Sequence, residues 1–294
     1  MPAIPQKIAL IQMTMSANST ENLRQATRLL TAAAKNGATV ACLPELFLTP
    51  YFCQREDAAN FDLAEAIPGA TTQELCRLAR SLNLVVVASL FERRARGVYH
   101  NTAAVIDADG ALCGVYRKSH IPDDPNFYEK FYFTPGDTGF RSFATRAGRI
   151  GVIICWDQWF PESARLTALT GADIIFAPTA IGWLPAEKEI GQRQHAAWET
   201  AQRGHAVANG VYYAACNRAG FERTADGDGI EFWGQSFIAD PMGELLALAP
   251  VAGEAIIYAE MQPRVIEDTR RIWPFFRDRR PELYAGLPRV WNDA

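Results

Sequence analysis

The sequence predicts an α/β protein built from two similar halves, on two observations. Strand-like apolar runs near 7–13, 39–43, 85–91, 102–107, 149–155, 173–178, 211–216 and 236–240 alternate with helix-period stretches near 20–36, 71–82, 161–170 and 190–209. In addition, Gly37-Ala-Thr-Val-Ala-Cys-Leu-Pro-Glu45 aligns without gaps on Gly171-Ala-Asp-Ile-Ile-Phe-Ala-Pro-Thr179. Each copy puts Gly at a helix end where a left-handed residue is needed, then an apolar strand, then Pro to stop it. Two halves that each offer a sheet and helices fit a four-layer α-β-β-α sandwich, although periodicity alone does not separate it from a doubly wound sheet.

Taken in chain order, the N-terminal Met1-Pro-Ala-Ile-Pro-Gln-Lys leads straight into the first strand, with no basic and apolar leader pattern. The helix near 20–36 ends at Gly37, and the strand that follows closes on Pro44-Glu45. A second apolar run, Val115-Tyr-Arg, closes on Lys118. The run Arg149-Ile-Gly-Val-Ile-Ile-Cys155 stops on a thiol, and the next helix is opened by Pro161. Such a strand holds the sulfur at a sheet edge beside a helix N-terminus, where positive partial charge is expected to favour thiolate. Only four histidines are present (100, 120, 195 and 205) and none sits in a papain-like or caspase-like signature. Glu45 and Lys118, each at a strand end as Cys155 is, are the better partners for an acyl-transfer nucleophile.

The chain has 294 residues, 49% hydrophobic and 21% charged, with a formal charge of −4, a composition ordinary for a soluble enzyme. No Pro/Ser/Gly-rich linker divides it, so one domain is expected over 1–262, and no apolar stretch approaches the ~20 residues a bilayer needs. The six cysteines (42, 53, 76, 113, 155, 216) form no Cys-x-x-Cys pair, which points to reduced thiols in the cytoplasm and away from a disulfide framework or zinc. His195 and Glu199 lie four apart but lack further ligands, and Asp226-Gly-Asp-Gly229 has Phe237 where a calcium loop needs its bidentate Glu, so no metal and no cofactor are expected.

The three segments Cys-Leu-Pro-Glu45, Tyr-Arg-Lys118-Ser-His-Ile-Pro and Ile-Cys155-Trp-Asp resemble, in order and spacing, the Glu-Lys-Cys signature of the nitrilase superfamily of carbon–nitrogen hydrolases, with similarity from about Ile8 to Tyr284. The resemblance implies the four-layer sandwich. It also implies Cys155 as nucleophile, Glu45 as general base and acid, Lys118 as oxyanion stabiliser, and Glu129 as a group that orients the site or relays protons, unless it is a helix-surface acid. Asp123-Asp-Pro-Asn-Phe-Tyr-Glu129, Cys155-Trp-Asp-Gln-Trp-Phe-Pro-Glu162 and Ser236-Phe-Ile-Ala-Asp-Pro241 look most like the branch that hydrolyses N-carbamoylputrescine. Relatives acting on carbamoyl amino acids need a cation for the substrate carboxylate, and where some have an arginine soon after the cysteine this chain has Gln158 and Trp159. A terminal ammonium would instead call on Asp123, Asp124 or Glu129, with Tyr128, Trp156 or Trp183 packing the carbon chain. Asp123 and Asp124 have the alternative of a plain turn before Pro125.

Open alternatives are a β-ureidopropionase-like enzyme, an ω-amidase, a nitrilase, or an ammonia-supplying subunit of a partner synthetase, although the chain carries no Gly-x-x-x-x-Gly-Lys-[Ser/Thr] loop. The tail 263–294 mixes arginines with Trp273, Phe275, Phe276 and Tyr284. Interleaved acids argue against nucleic acid, an arm packing on its own body or at a subunit interface of a homo-oligomer is expected, and the resemblance implies an assembly built on dimers.

Overall fold

The computed structural model describes residues 4–224 and 227–291. The first half runs β1 (Gln6–Gln12), α1 (Ser19–Lys35), β2 (Val40–Cys42), α2 (Ala70–Leu82), β3 (Val85–Ala95), β4 (Val98–Ile106) and β5 (Leu112–Arg117). After the short α3 (Glu129–Tyr132), the second half runs β6 (Ser142–Thr145), β7 (Gly148–Val152), α4 (Pro161–Leu169), β8 (Ile174–Thr179), β9 (Gly182–Trp183), α5 (Lys188–Asn209) and β10 (Tyr212–Asn217). It continues through β11 (Ala219–Arg223), β12 (Gly229–Trp233), β13 (Phe237–Ala239), β14 (Leu245–Leu248), β15 (Ala255–Met261) and α6 (Pro263–Ile272).

Two six-stranded sheets form, in the orders β15-β1-β2-β3-β4-β5 and β14-β13-β10-β8-β7-β6, with a small β11-β12-β9 sheet beside the second. In the first sheet β2 lies parallel between β1 and β3, and in the second β8 lies parallel between β7 and β10. The repeat read in the sequence is therefore a repeat of topology, and Gly37 and Gly171 both turn the chain at positive φ, 82° and 92°.

The pleat builds the layers. On β1, Ile8 and Leu10 enter the core between the sheets, while Ala9 and Ile11 meet Ala26, Leu29, Leu30 and Ala33 of α1 and Leu75 and Ala79 of α2. On β8, Ile174 and Phe176 enter the same intersheet core, while Ile175 and Ala177 pack under α4 and α5 with Ala164, Ala168, Trp198 and Ala206. This is the α-β-β-α sandwich expected from the sequence.

One expectation needs correction. The strand expected over 149–155 stops at Val152, and Cys155 opens a 3-10 turn, Cys155–Trp159, that precedes α4. The tail begins on its own body: Ile266 is buried in the intersheet core and Arg270 donates to Asn209 O at 3.1 Å. From Ile272 onward the large apolar side chains Trp273, Phe275, Leu283, Leu287 and Trp291 are exposed. The Asp226 to Gly229 segment joins β11 to β12, with Thr224 N–H bonded to Asp228 O at 2.7 Å, and Asp226 lies outside the described residues. All six cysteines are free thiols, and among the described residues no helix is long and apolar enough to cross a membrane.

Candidate active site

Beyond β2 the chain passes Leu43 and Pro44 and turns sharply at Glu45, with Leu46 at φ 50°, a left-handed value that costs a non-glycine residue energy. The turn persists because Arg218, fully buried just past β10, spends its guanidinium on it. Its Nη2 donates to Glu45 O at 2.6 Å and to Leu46 O at 3.1 Å, and its Nη1 donates to Thr49 O at 3.3 Å and to Glu222 at 2.7 Å. Ser89 Oγ accepts Leu46 N–H, and Glu45 N–H reaches Thr179 O at 3.4 Å. One sheet thus fixes a corner that belongs to the other.

Lys118 follows β5 directly, with its backbone N–H on Asn101 O. Its side chain is fully buried, and Nζ donates to Glu45 Oε1 at 2.8 Å and to Glu129 Oε2 at 2.6 Å. Burial alone would lower the lysine's pKa, but the carboxylates of Glu129 and Glu45 hold it well above the usual range, so the cation persists. Glu129, brought in by α3, also accepts from Tyr51 OH at 2.6 Å, and burial raises its pKa to about 7 against the opposing pull of Lys118. Glu45 Oε1 accepts a further bond from Asn101 Nδ2 at 2.7 Å, whereas Glu45 Oε2 is buried with no partner. A buried acceptor left unmatched is a costly thing to keep and needs a reason.

Cys155 supplies the setting for one. It adopts φ 42° at the start of its 3-10 turn, and its Sγ lies 3.9 Å from Ala180 O. The pull toward thiolate expected from a helix N-terminus is outweighed: burial pushes the thiol pKa well up, Glu45 adds to the rise, and Lys118 only partly opposes it. Desolvation outweighs a partial charge from one short turn, so the sulfur reacts only when a base takes its proton.

A cavity of about 440 Å³ opens over Cys155, lined by Trp156, Trp159, Trp183, Phe127 and the acids Asp124, Glu129 and Glu187. Among the described residues no lysine or arginine side chain lines it. Trp156 and Trp159, one 3-10 turn apart, both face the cavity, while Asp157 and Gln158 point into the body. Gln158, expected in the substrate pocket, is fully buried and accepts from Thr179 Oγ1 at 3.1 Å. Asp123 and Tyr128 are not among the lining residues either. Asp123 is exposed, and Tyr128 is half-buried with its N–H on Cys53 O. Asp124 lines the rim and also closes a turn, Asp124 O to Phe127 N at 2.7 Å, with Asn126 at φ 64°.

Sequence reasoning brought Glu45, Lys118, Glu129 and Cys155 to one place but missed Asn101, Tyr51, Arg218, Trp159 and Glu187. The first three come from distant segments with no motif around them, and Asn101 sits in a polar run, His100-Asn101-Thr102, that gives no sign of which residue faces the site. Among the described residues no group of three His, Cys, Asp or Glu side chains is placed to hold a metal ion.

Known proteins bear directly on this arrangement. The carbon-nitrogen hydrolase family description matches residues 7–271. N-carbamoylputrescine amidase of Oryza sativa subsp. japonica is 46% identical over 284 residues, 95% of this chain and 93% of that one. A citrullinase of Francisella tularensis is 42% identical over 286 residues, 97% of this chain and 99% of that one. The crystal structure of a carbon-nitrogen hydrolase from Helicobacter pylori G27 superimposes with a TM-score of 0.95 at 44% identity, covering 98% of this chain and all of the other, 100%. With its sandwich, its buried Glu-Lys-Cys cluster and a family match across most of its length, the chain belongs to the carbon–nitrogen hydrolases.

Proposed function

We propose that this enzyme hydrolyses N-carbamoylputrescine to putrescine, carbon dioxide and ammonia through a covalent intermediate on Cys155. The observation that carries the reading is the buried, partnerless Glu45 Oε2 in the cluster that adjoins a neutral thiol. Glu45 takes the thiol proton as sulfur attacks the ureido carbon, and Lys118 Nζ, held charged, stabilises the oxyanion. Collapse of the tetrahedral adduct breaks the bond to the terminal nitrogen, and Glu45 delivers its proton to the departing ammonia. Water, activated by Glu45, then cleaves the thiocarbamate ester, and the released carbamate loses carbon dioxide to leave the amine. Glu129, bonded to Lys118 and Tyr51, orients the lysine.

Substrate polarity follows from the rim. Glu129 is already committed to Lys118 and Tyr51, which leaves Asp124 and Glu187 to face a substrate ammonium, with Trp156, Trp159 and Trp183 along the methylene chain. A carboxylate-bearing substrate would meet acids and no lining cation. The plant amidase at 46% identity supports the same reading. Citrulline shares the ureido group, and the citrullinase relative makes it the second substrate to try. Ammonia release by the purified protein without ATP, measured on carbamoylputrescine, citrulline, carbamoyl-β-alanine, glutamine and a simple nitrile, tests the assignment. Carbamoylputrescine is expected to lead in kcat/KM, and equal efficiency on carbamoyl-β-alanine would remove the case for an amine-selecting rim.

The division into a catalytic body over 1–262 and an arm over 263–294 belongs to the same reading. The exposed Trp273, Phe275, Leu283 and Tyr284 favour a homo-oligomer joined through that arm, and truncation after Gln262 is expected to lower the mass seen by light scattering. Six free thiols fit a cytoplasmic enzyme.

A further inference from the structure

One buried carboxylate holds the lysine segment and the cysteine turn together. Asp157, two residues past Cys155, is fully buried and points away from the cavity. Its Oδ2 accepts from Tyr116 OH at 2.7 Å and from Ile154 N–H at 3.1 Å. Its Oδ1 accepts from His120 N–H at 2.9 Å and faces His120 Nδ1 at 2.7 Å, which makes that ring nitrogen a donor to the carboxylate. Tyr116 and His120 stand two residues before and two residues after Lys118. Ile154 stands immediately before Cys155. The His120 ring cannot swing freely, because it stacks on Phe160 with centroids 3.8 Å apart and planes 7° from parallel.

We propose that Asp157 is a positioning residue that sets the distance between Lys118 and Cys155 by gripping the Lys118 segment on both sides and the Cys155 turn from below, with Tyr116 and His120 as its handles. The two segments leave different sheets, β5 of the first and β7 of the second, and the carboxylate spans the join. The sulfur itself touches Ala180 O only loosely, at 3.9 Å, so its place depends on the backbone turn. A carboxylate suits the task because two oxygens accept four donors at once, two on each oxygen, and backbone donors leave little freedom of position. Misplacement of reacting groups by about 1 Å costs about 10²-fold in rate, which is the scale on which such a clamp acts.

The inference rests on the roles proposed for Cys155 and Lys118, and Cys155→Ala tests those roles separately, since full activity of that variant would sink the catalytic reading whatever the clamp does. The clamp is tested with His120→Ala, His120→Asn and Tyr116→Phe, the asparagine keeping a side-chain N–H donor near the Nδ1 position. Turnover is expressed per Cys155 titrated by labelled iodoacetamide, so a loss of folded protein does not count as a loss of rate. His120→Ala is expected to lower kcat by about 10-fold or more with KM changed less than about threefold, and His120→Asn to recover most of the loss. Tyr116→Phe is expected to give a smaller loss of the same kind. The alkylation rate of Cys155 against pH, which needs no substrate, is expected to shift in His120→Ala and to return in His120→Asn. Parental kcat and alkylation profile in His120→Ala, or an asparagine variant no better than alanine, would overturn the proposal. Asp157→Asn, if it folds, is expected to lose most activity, and if it does not fold the histidine pair decides the question.

Discussion

Glu45 and Thr179 stand at matching corners of the two halves, each directly after a proline and each at the end of a central parallel strand, and they touch, Glu45 N–H on Thr179 O. Their side chains are treated in opposite ways. Thr179 Oγ1 has two acceptors of its own half within reach of its single hydrogen, Ala177 O at 2.9 Å and Gln158 Oε1 at 3.1 Å. Glu45 has one oxygen doubly bonded, by Lys118 and Asn101, and the other with nothing. The Thr179 hydroxyl bonds within its own half, and on the reading proposed above the free oxygen of Glu45 is an acceptor for the thiol proton. The backbone repeats this division: Thr179 ends a regular strand, whereas the Glu45 corner carries a left-handed Leu46 pinned by Arg218.

On the proposed reading covalent chemistry falls to the second half and proton handling to the first, and Cys155→Ala is the hardest test of that division. Turnover is expected to fall by about 10⁴-fold or more with the circular dichroism spectrum unchanged. Residual activity on that scale with an adduct on Cys42 or Cys216, seen by intact mass, would move the nucleophile elsewhere.

Next in size are Glu45→Gln and Lys118→Met, each expected to lower kcat by about 10²–10⁴-fold. In the glutamine variant the partnerless oxygen loses its basicity while the bond from Asn101 has a way to persist, so thermal stability is expected to hold. A variant that kept near-parental turnover would show that the empty acceptor has no catalytic use.

A pH profile sharpens the picture from a different side. Glu129 is raised to about 7 by burial, so it is mainly protonated below that pH and ionised above it, and only the ionised form pairs with Lys118 as a charge. The sign follows: kcat is expected to rise through pH 7 as the pair forms. Glu129→Gln is expected to lose that inflection, and a profile identical to the parent's would assign the limb to another group.

The smallest effect belongs to the matching corner. Thr179→Val removes one hydroxyl with two contacts and is expected to cost about 1 kcal/mol of stability, read in a denaturant melt, while kcat stays within about threefold. A loss comparable to that of Glu45→Gln would erase the distinction between the corners.

What the sequence made legible follows the same line. Glu45, Lys118 and Cys155 were readable because each charged or nucleophilic group interrupts an apolar run, and such an interruption is expensive unless used. Glu129 was readable only through resemblance, since a glutamate on a four-residue helix gives no local sign of burial. Asn101, Tyr51 and Arg218 were hidden because their partners lie far away in the chain, Arg218 bonding to a carbonyl 173 residues earlier. Gln158 was placed in the pocket by resemblance to relatives with an arginine soon after the cysteine, whereas the 3-10 turn sends Trp156 and Trp159 to the cavity and carries 157 and 158 inward. The helix-end effect expected at Cys155 is outweighed for an energetic reason: the turn offers only a partial charge, while burial penalises the whole charge of a thiolate.

Burial of that sulfur carries a further expectation, that the resting protein reacts slowly with peroxide at Cys155. Peroxide reacts with thiolates that solvent can reach, and Cys155 is only 6% exposed, with burial pushing its thiol pKa well up. Intact mass after peroxide treatment is expected to show Cys155 oxidised more slowly than the half-buried Cys76 and Cys113, and faster oxidation at Cys155 would count against that shelter.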